Sequence, residues 1–211
     1  MRKRALIFDL DDTIYSTKSV VDQMYSELFA MIHGRVDQGV FDAIREDILT
    51  TPFHVIADRY ALDKALKKEG LDLCLNMDYH GPMVPFPDYA LTKGNAADRY
   101  LVTAGYTKLQ KGKIRQLGIE KEFNEIFIPD PYTSDLTKTQ VFKNILIKYN
   151  YDPAEVLVIG DNPETEIAAA KELGIDAYLY DYEAKFSPAL ADYYGTSYEN
   201  FAGILDQLST E

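Results

Sequence analysis

The sequence predicts a doubly wound α/β fold, a parallel sheet flanked by helices, with one all-helical block inserted near its start. Three observations predict it. Apolar runs of strand length recur at residues 5–8, 100–102, 126–128, 156–159 and 177–180. From the second run onward, each is separated from the next by a segment of helical periodicity, the pattern of parallel crossovers. Between the first and second runs, by contrast, almost the whole interval has helical spacing.

The first run, Ala5-Leu6-Ile7-Phe8, ends in Asp9-Leu10-Asp11-Asp12-Thr13. A buried strand turns polar where it leaves the core, so these carboxylates belong at its carboxyl end. Open α/β sheets place their ligand crevice at that edge. Asp9 and Asp11 are two apart and are expected to share a face, with Asp12 on the other. Carboxylates that close raise one another's pKa unless a cation lies between them or one keeps its proton. The pattern suits a hard-metal site, a general acid, or both. Alone, it also suits a capping turn, because Asp and Thr favour helix N-caps.

The helical block follows. Val20, Val21, Met24, Leu28, Met31 and Ile32 predict a helix over 18–32, stopped at Gly34. Val40, Phe41, Ile44, Ile48 and Leu49 mark a second, halted by Thr51-Pro52. A third is expected over 53–69, closed by Gly70, and a short piece over 71–77. The turn-rich stretch from His80 to Pro87 then returns the chain to the sheet. The strand at 100–102 ends in Thr103-Ala104-Gly105, and a helix through Leu109, Ile114 and Leu117 ends at Gly118. The strand at 126–128 stops at Pro129-Asp130-Pro131, and a helix is expected over 138–149, opened by Lys138. The strand at 156–159 ends in Gly160-Asp161, and Pro163 starts a helix that Gly174 closes. The run at 177–180 is expected to be the last strand, before a terminal helix over 198–208. The expected division is therefore a core of residues 1–15 and 84–211, with residues 16–83 inserted.

Composition bounds the function. At 211 residues the chain can build one sizeable core with a small accessory domain. A net charge of -12 argues against nucleic acid or an anionic membrane as the main partner, since both demand a basic face. A phosphate-bearing ligand must then be held by locally placed positive charge. Cys74, the single cysteine, excludes an internal disulfide and suits a reducing compartment. Met1-Arg2-Lys3-Arg4 is basic, but the apolar run behind it is too short for a signal peptide. A soluble, cytoplasmic protein is expected.

In a parallel sheet the strand ends converge on one edge. Asp9 and Asp11, Thr103, Lys138 and Gly160-Asp161 would meet there. This ordered set resembles the haloacid dehalogenase superfamily, in its metal-dependent phosphatase branch. The family's DxDx[TV] motif matches Asp9-Leu10-Asp11-Asp12-Thr13, and its strand-end Ser/Thr matches Thr103. Its helix-start Lys matches Lys138, and its GD motif matches Gly160-Asp161. Glu166 stands where the family usually has a further Asp.

The resemblance implies a Rossmann-like core with a small helical C1-type cap that carries specificity. It implies a Mg2+-dependent phosphatase acting on a small phosphorylated metabolite or nucleotide through an aspartyl-phosphate. Asp9 would be the nucleophile. Asp11 would be the acid/base, with a pKa raised by crowded carboxylates. Asp9, Asp161 and the Asp11 carbonyl would hold Mg2+, with Glu166 and Asn162 as outer partners. Thr103, the backbone at Ala104, and Lys138 would hold the phosphate. An Asp at position 11 favours phosphoryl transfer over dehalogenation, because a leaving alkoxide needs a proton. A sugar phosphomutase is the alternative enzyme on the same core, and a non-catalytic phospho-ligand-binding protein the alternative outside enzymes. Arg45, Arg59, His33, His54 and the tyrosines of the inserted block are candidates for contacting the leaving group.

Overall fold

The computed structural model describes the backbone of residues 3–210 and side chains as far as Asp206. Met1, Arg2 and Glu211, the outer limits expected for the core, lie outside the described residues. Six parallel strands form one sheet in the order β3-β2-β1-β4-β5-β6. They are β1 (Ala5–Phe8), β2 (Asp98–Val102), β3 (Glu125–Phe127), β4 (Val156–Gly160), β5 (Asp176–Tyr180) and β6 (Tyr193–Gly195). The two central strands, β1 and β4, are buried along their whole length, as their unbroken apolar runs require.

Side chains alternate between two cores. Leu6 and Phe8 enter one cluster, whereas Ala5 and Ile7 enter the other. The second cluster is covered by α7 (Lys138–Tyr149) and α8 (Ala168–Glu172). The first is covered by α6 (Thr107–Leu117) and the start of α9 (Phe201–Thr210), and it continues into the helical block between β1 and β2.

That block holds α1 (Val21–Met24), α2 (Ser26–Ile32), α3 (Gln38–Asp47), α4 (Phe53–Arg59) and α5 (Lys64–Asn76). Its boundaries differ from expectation in two places. The helix read over 18–32 is a 3-10 turn at Thr17–Ser19 followed by α1 and α2, broken at Tyr25. The helix read over 53–69 is two. Ala61 takes a left-handed turn after α4, and Asp63 starts α5 by accepting the Ala65 and Leu66 N–H groups, both at 2.9 Å. Gly70 therefore does not end a helix. It lies inside α5, where a Cβ would come within 2.3 Å of the Phe53 ring, so the glycine lets α4 and α5 approach.

The block is joined to the core by more than its connections. α5 packs on α6, Lys108 donates to the Asn76 carbonyl at 2.7 Å, and Arg115 pairs with Asp78 at 2.7 Å. Beyond β5 the chain adds β6, which the sequence reading ends without. It is a three-residue edge strand with no apolar run to announce it. No helix among the described residues is long and apolar enough to cross a membrane.

Candidate active site

The strand order reverses between β1 and β4, where a crevice opens at the carboxyl edge of a doubly wound sheet. Asp9 follows β1 directly and donates its N–H to the Ile159 carbonyl at 2.9 Å; Asp161 follows β4. The next turn, Pro163–Ile167, is π-helical, and this wider turn carries Glu166 back beneath β4. A Cβ at Gly160 would sit 2.7 Å from the Glu166 Cβ, so the glycine makes room for that return. Oxygens of Asp9, Asp161 and Glu166 consequently lie within 4.8 Å of one another.

Lys138 reaches the group from the first turn of α7. A capping box between Thr137 and Gln140 sets that helix start. The ammonium donates to Asp9 Oδ1 at 2.7 Å and to Glu166. Thr165 donates to the other Glu166 oxygen at 2.7 Å, and Thr13 Oγ1 lies 3.5 Å from Asp161 Oδ1.

Charge in this cluster is under-compensated. Burial raises the Asp9 carboxyl above its usual range despite Lys138, and Asp11 adds to the rise. Burial, then the charges of Asp9 and Asp12, push Asp161 well above its usual range. Three converging carboxylates against one ammonium form an oxygen-only donor set of the kind that holds a hard divalent cation.

Asp11 departs from expectation, whereas Asp12 faces away from Asp9 as the alternation predicts. Asp12 adopts a left-handed backbone (φ 50°), which Asp tolerates, and turns its carboxylate away from the cluster. It accepts from the Thr17 N–H (2.9 Å), the Thr17 hydroxyl (2.6 Å) and Tyr182 OH (3.2 Å). Asp11 was expected to carry a raised pKa. Burial does push it up, but the Lys113 ammonium and hydrogen bonds from Lys113, Tyr15 and Gln110 outweigh burial and bring it below the usual carboxylate range. The expected crowding fails because the side chain turns toward α6 instead of toward the other carboxylates.

Together with Asp9, Asp11 and Asp161, residues Thr103, Ala104, Lys138, Asn162 and Glu166 line a cleft of about 370 Å³. Thr103 is buried at the end of β2, and its hydroxyl accepts from Gln110 Nε2 at 2.5 Å. Asn162 caps the π-turn through the Glu164 N–H at 2.8 Å.

A family model for haloacid dehalogenase-like hydrolases matches residues 3–174. The chain belongs to that family. The hydrolase is 21% identical over 192 residues to a glyceraldehyde 3-phosphate phosphatase of Methanopyrus kandleri, covering 82% of this chain and 81% of that one. It is 24% identical over 207 residues to the pyrimidine 5′-nucleotidase PynA of Streptococcus pneumoniae, covering 97% of this chain and 76% of the relative. Among solved structures, a haloacid dehalogenase-like hydrolase of Streptococcus pneumoniae superposes with a TM-score of 0.71 at 17% identity, covering 96% of this chain and 98% of the other. A Bacillus subtilis hydrolase of the superfamily, solved bound to magnesium, gives 0.68 at 20% identity, covering 98% and 100%.

Three residues of this hydrolase's site escape the sequence reading. Gln110 and Lys113 project from α6, and Tyr15 follows the first motif. Gln110 Nε2 bridges Asp11 Oδ2 (3.0 Å), Thr103 Oγ1 (2.5 Å) and the Ala104 carbonyl (3.3 Å). Lys113 Nζ donates to Asp11 Oδ1 at 2.8 Å, and Tyr15 OH donates to the same oxygen. A signal existed. Gln110, Lys113 and Leu117 recur at three and four residues, so two polar side chains share the buried phase of an amphipathic helix.

The inserted block reaches the cleft through other residues than those proposed from sequence. Arg45 and Arg59 pair with Asp22 and Asp47, His33 packs on Phe41, and His54 meets Tyr106 and Tyr132. Leu49 and Thr50, between α3 and α4, are the block residues that line the cleft.

Proposed function

We propose that this hydrolase is a Mg2+-dependent phosphatase of small phosphorylated metabolites or nucleotides, working through an aspartyl-phosphate on Asp9. The convergence of Asp9, Asp161 and Glu166 beside Lys138 carries the reading. Phosphatase and nucleotidase relatives, and a magnesium-bound structural neighbour, support it.

A phosphate monoester resists attack because its dianion repels nucleophiles and its alkoxide leaves poorly; a covalent enzyme intermediate divides the reaction into two easier steps. Asp9 and Asp161, with the Asp11 carbonyl, would hold Mg2+, which when bound cancels the repulsion between carboxylate and phosphate. Asp9 attacks phosphorus while the bond to the leaving oxygen breaks. Asp11 gives that oxygen a proton, and then accepts one from the water that cleaves the acyl-phosphate. Thr103, the Ala104 backbone and Lys138 hold the equatorial oxygens, where charge gathers in the transition state. Glu166 keeps Lys138 aimed at Asp9, and Asn162 supports the turn carrying Asp161. Residues 16–83 act as a cap over this site, excluding water and meeting the leaving group.

The purified protein is expected to hydrolyse an aryl phosphate with Mg2+, to lose that activity on chelation and regain it on adding the ion back. Asp9→Asn should abolish turnover with circular dichroism unchanged. Activity that survives exhaustive chelation, or survives Asp9→Asn, rules the mechanism out.

A further inference from the structure

We infer that the leaving alcohol is uncharged and hydroxyl-bearing, as in a polyol, sugar or nucleoside monophosphate, and that bisphosphates and phosphorylated carboxylic acids are discriminated against. This rests on the phosphatase reading and adds the substrate class. The observation is the charge of the cleft wall beyond the phosphoryl site. Lys138 is the sole cationic side chain lining the cleft among the described residues, and it is already engaged by Asp9 and Glu166. A second anion on the substrate would find no cation there.

The wall it would meet is neutral or acidic. Leu49 offers an apolar contact from the inserted block; Thr50, Thr137 and Thr139 offer hydroxyls; Glu164 is exposed at the rim. The arginines flanking the Leu49-Thr50 loop do not supply the missing charge. Arg45 in the last turn of α3 pairs with Asp22, and Arg59 at the end of α4 pairs with Asp47. His54, one turn beyond the loop, packs its ring on Tyr106 and Tyr132 and is held below its ordinary pKa by burial. Neutral hydroxyl donors and acceptors match a leaving group rich in hydroxyls, and a cleft of about 370 Å³ admits one of modest size. An unpaired anion beside Glu164 costs binding energy in both ground and transition states, so the penalty appears in kcat/KM.

The test measures kcat/KM with Mg2+ for matched pairs: glycerol 3-phosphate against 3-phosphoglycerate, and fructose 6-phosphate against fructose 1,6-bisphosphate, with p-nitrophenyl phosphate as reference. The neutral member of each pair is expected to be favoured by about tenfold or more, a ratio that narrows in high salt. Thr50→Arg should shrink the ratio by supplying the absent cation. Failure to hydrolyse p-nitrophenyl phosphate sinks the phosphatase reading itself. Hydrolysis of p-nitrophenyl phosphate with the charged members equal or preferred overturns this inference alone. So does a ratio unmoved by Thr50→Arg in a folded protein, because the leaving group then does not sit against the loop.

Discussion

Lys113 and Tyr15 meet one oxygen of Asp11, and Gln110 meets the other. A carboxylate held by three donors stays ionised, so to act as an acid Asp11 must release some of these contacts and take up a proton before it meets the substrate's leaving oxygen. If it does, Asp11→Asn should cost about 10²–10⁴-fold on an alkyl phosphate, whose alkoxide needs a proton, and much less on p-nitrophenyl phosphate. Comparing formation of the acyl-phosphate from the two esters by rapid quench checks this; equal loss on both argues against the role. The same ion pair also makes a stability prediction. A carboxylate with a lowered folded pKa contributes stability above its unfolded value, about 3.9, and loses it as pH falls through the folded one. Lys113→Met should therefore destabilise the fold at pH 7 by about 1–3 kcal/mol, discounted because Asp11 keeps 27% side-chain exposure. Urea titrations should show that deficit shrinking as the pH is lowered past 4.

At the scale of elements, the two connections between the inserted block and the sheet run side by side. Phe86 donates its N–H to the Ile14 carbonyl at 2.7 Å. The loop after β5 holds both: the Tyr182 ring lies 4.8 Å from that of Phe86, and its hydroxyl reaches Asp12 and lies 3.3 Å from Ser16 Oγ. Lys18, at the block's entrance, pairs with Glu183 of the same loop. If the block moves as a cap, this loop resists the motion. Tyr182→Ala is expected to speed amide exchange at residues 14–20 and 82–88 while β1 and β4 stay protected. Unchanged exchange at both connections would show that the loop does not restrain them. Within the block, Gly70→Ala pushes a methyl against Phe53 and should cost about 1–3 kcal/mol, read as a lowered urea midpoint.

For the whole molecule, the net charge of -12 includes three carboxylates gathered where β1 and β4 end. Buried carboxylates with raised folded pKa values act oppositely to Asp11. The folded state binds their protons more tightly, so their contribution is favourable at low pH and is lost as pH rises through the folded pKa values. Metal-free protein at pH 7–8 thus carries repulsion that a bound cation removes. Saturating Mg2+ should raise the melting temperature at pH 7.5, by about 2–4 °C for each kcal/mol of binding stabilisation, and by progressively less toward pH 4.5. Asp161→Asn should stabilise the metal-free protein and abolish the Mg2+ response. A response to Mg2+ that survives Asp161→Asn would move the metal elsewhere.

The sequence by itself determined the α/β class, five of the strands and the edge on which Asp9, Thr103, Lys138 and Asp161 gather. Each of these follows from local pattern: an apolar run makes a buried strand, and chemistry falls at its carboxyl end. It also supplied the family through the spacing of those residues. Only the tertiary structure decided what each carboxylate faces. Asp11 turns to Lys113 and Gln110, which lie about a hundred residues away on α6, and no local rule pairs them. The break before α5 and the glycine within it depend on Phe53, a contact between helices, so periodicity alone ran the segment together. Leu49 and Thr50 reach the cleft because the block folds over the strand ends, and a side chain's distance from a site in another element is not written in its neighbours.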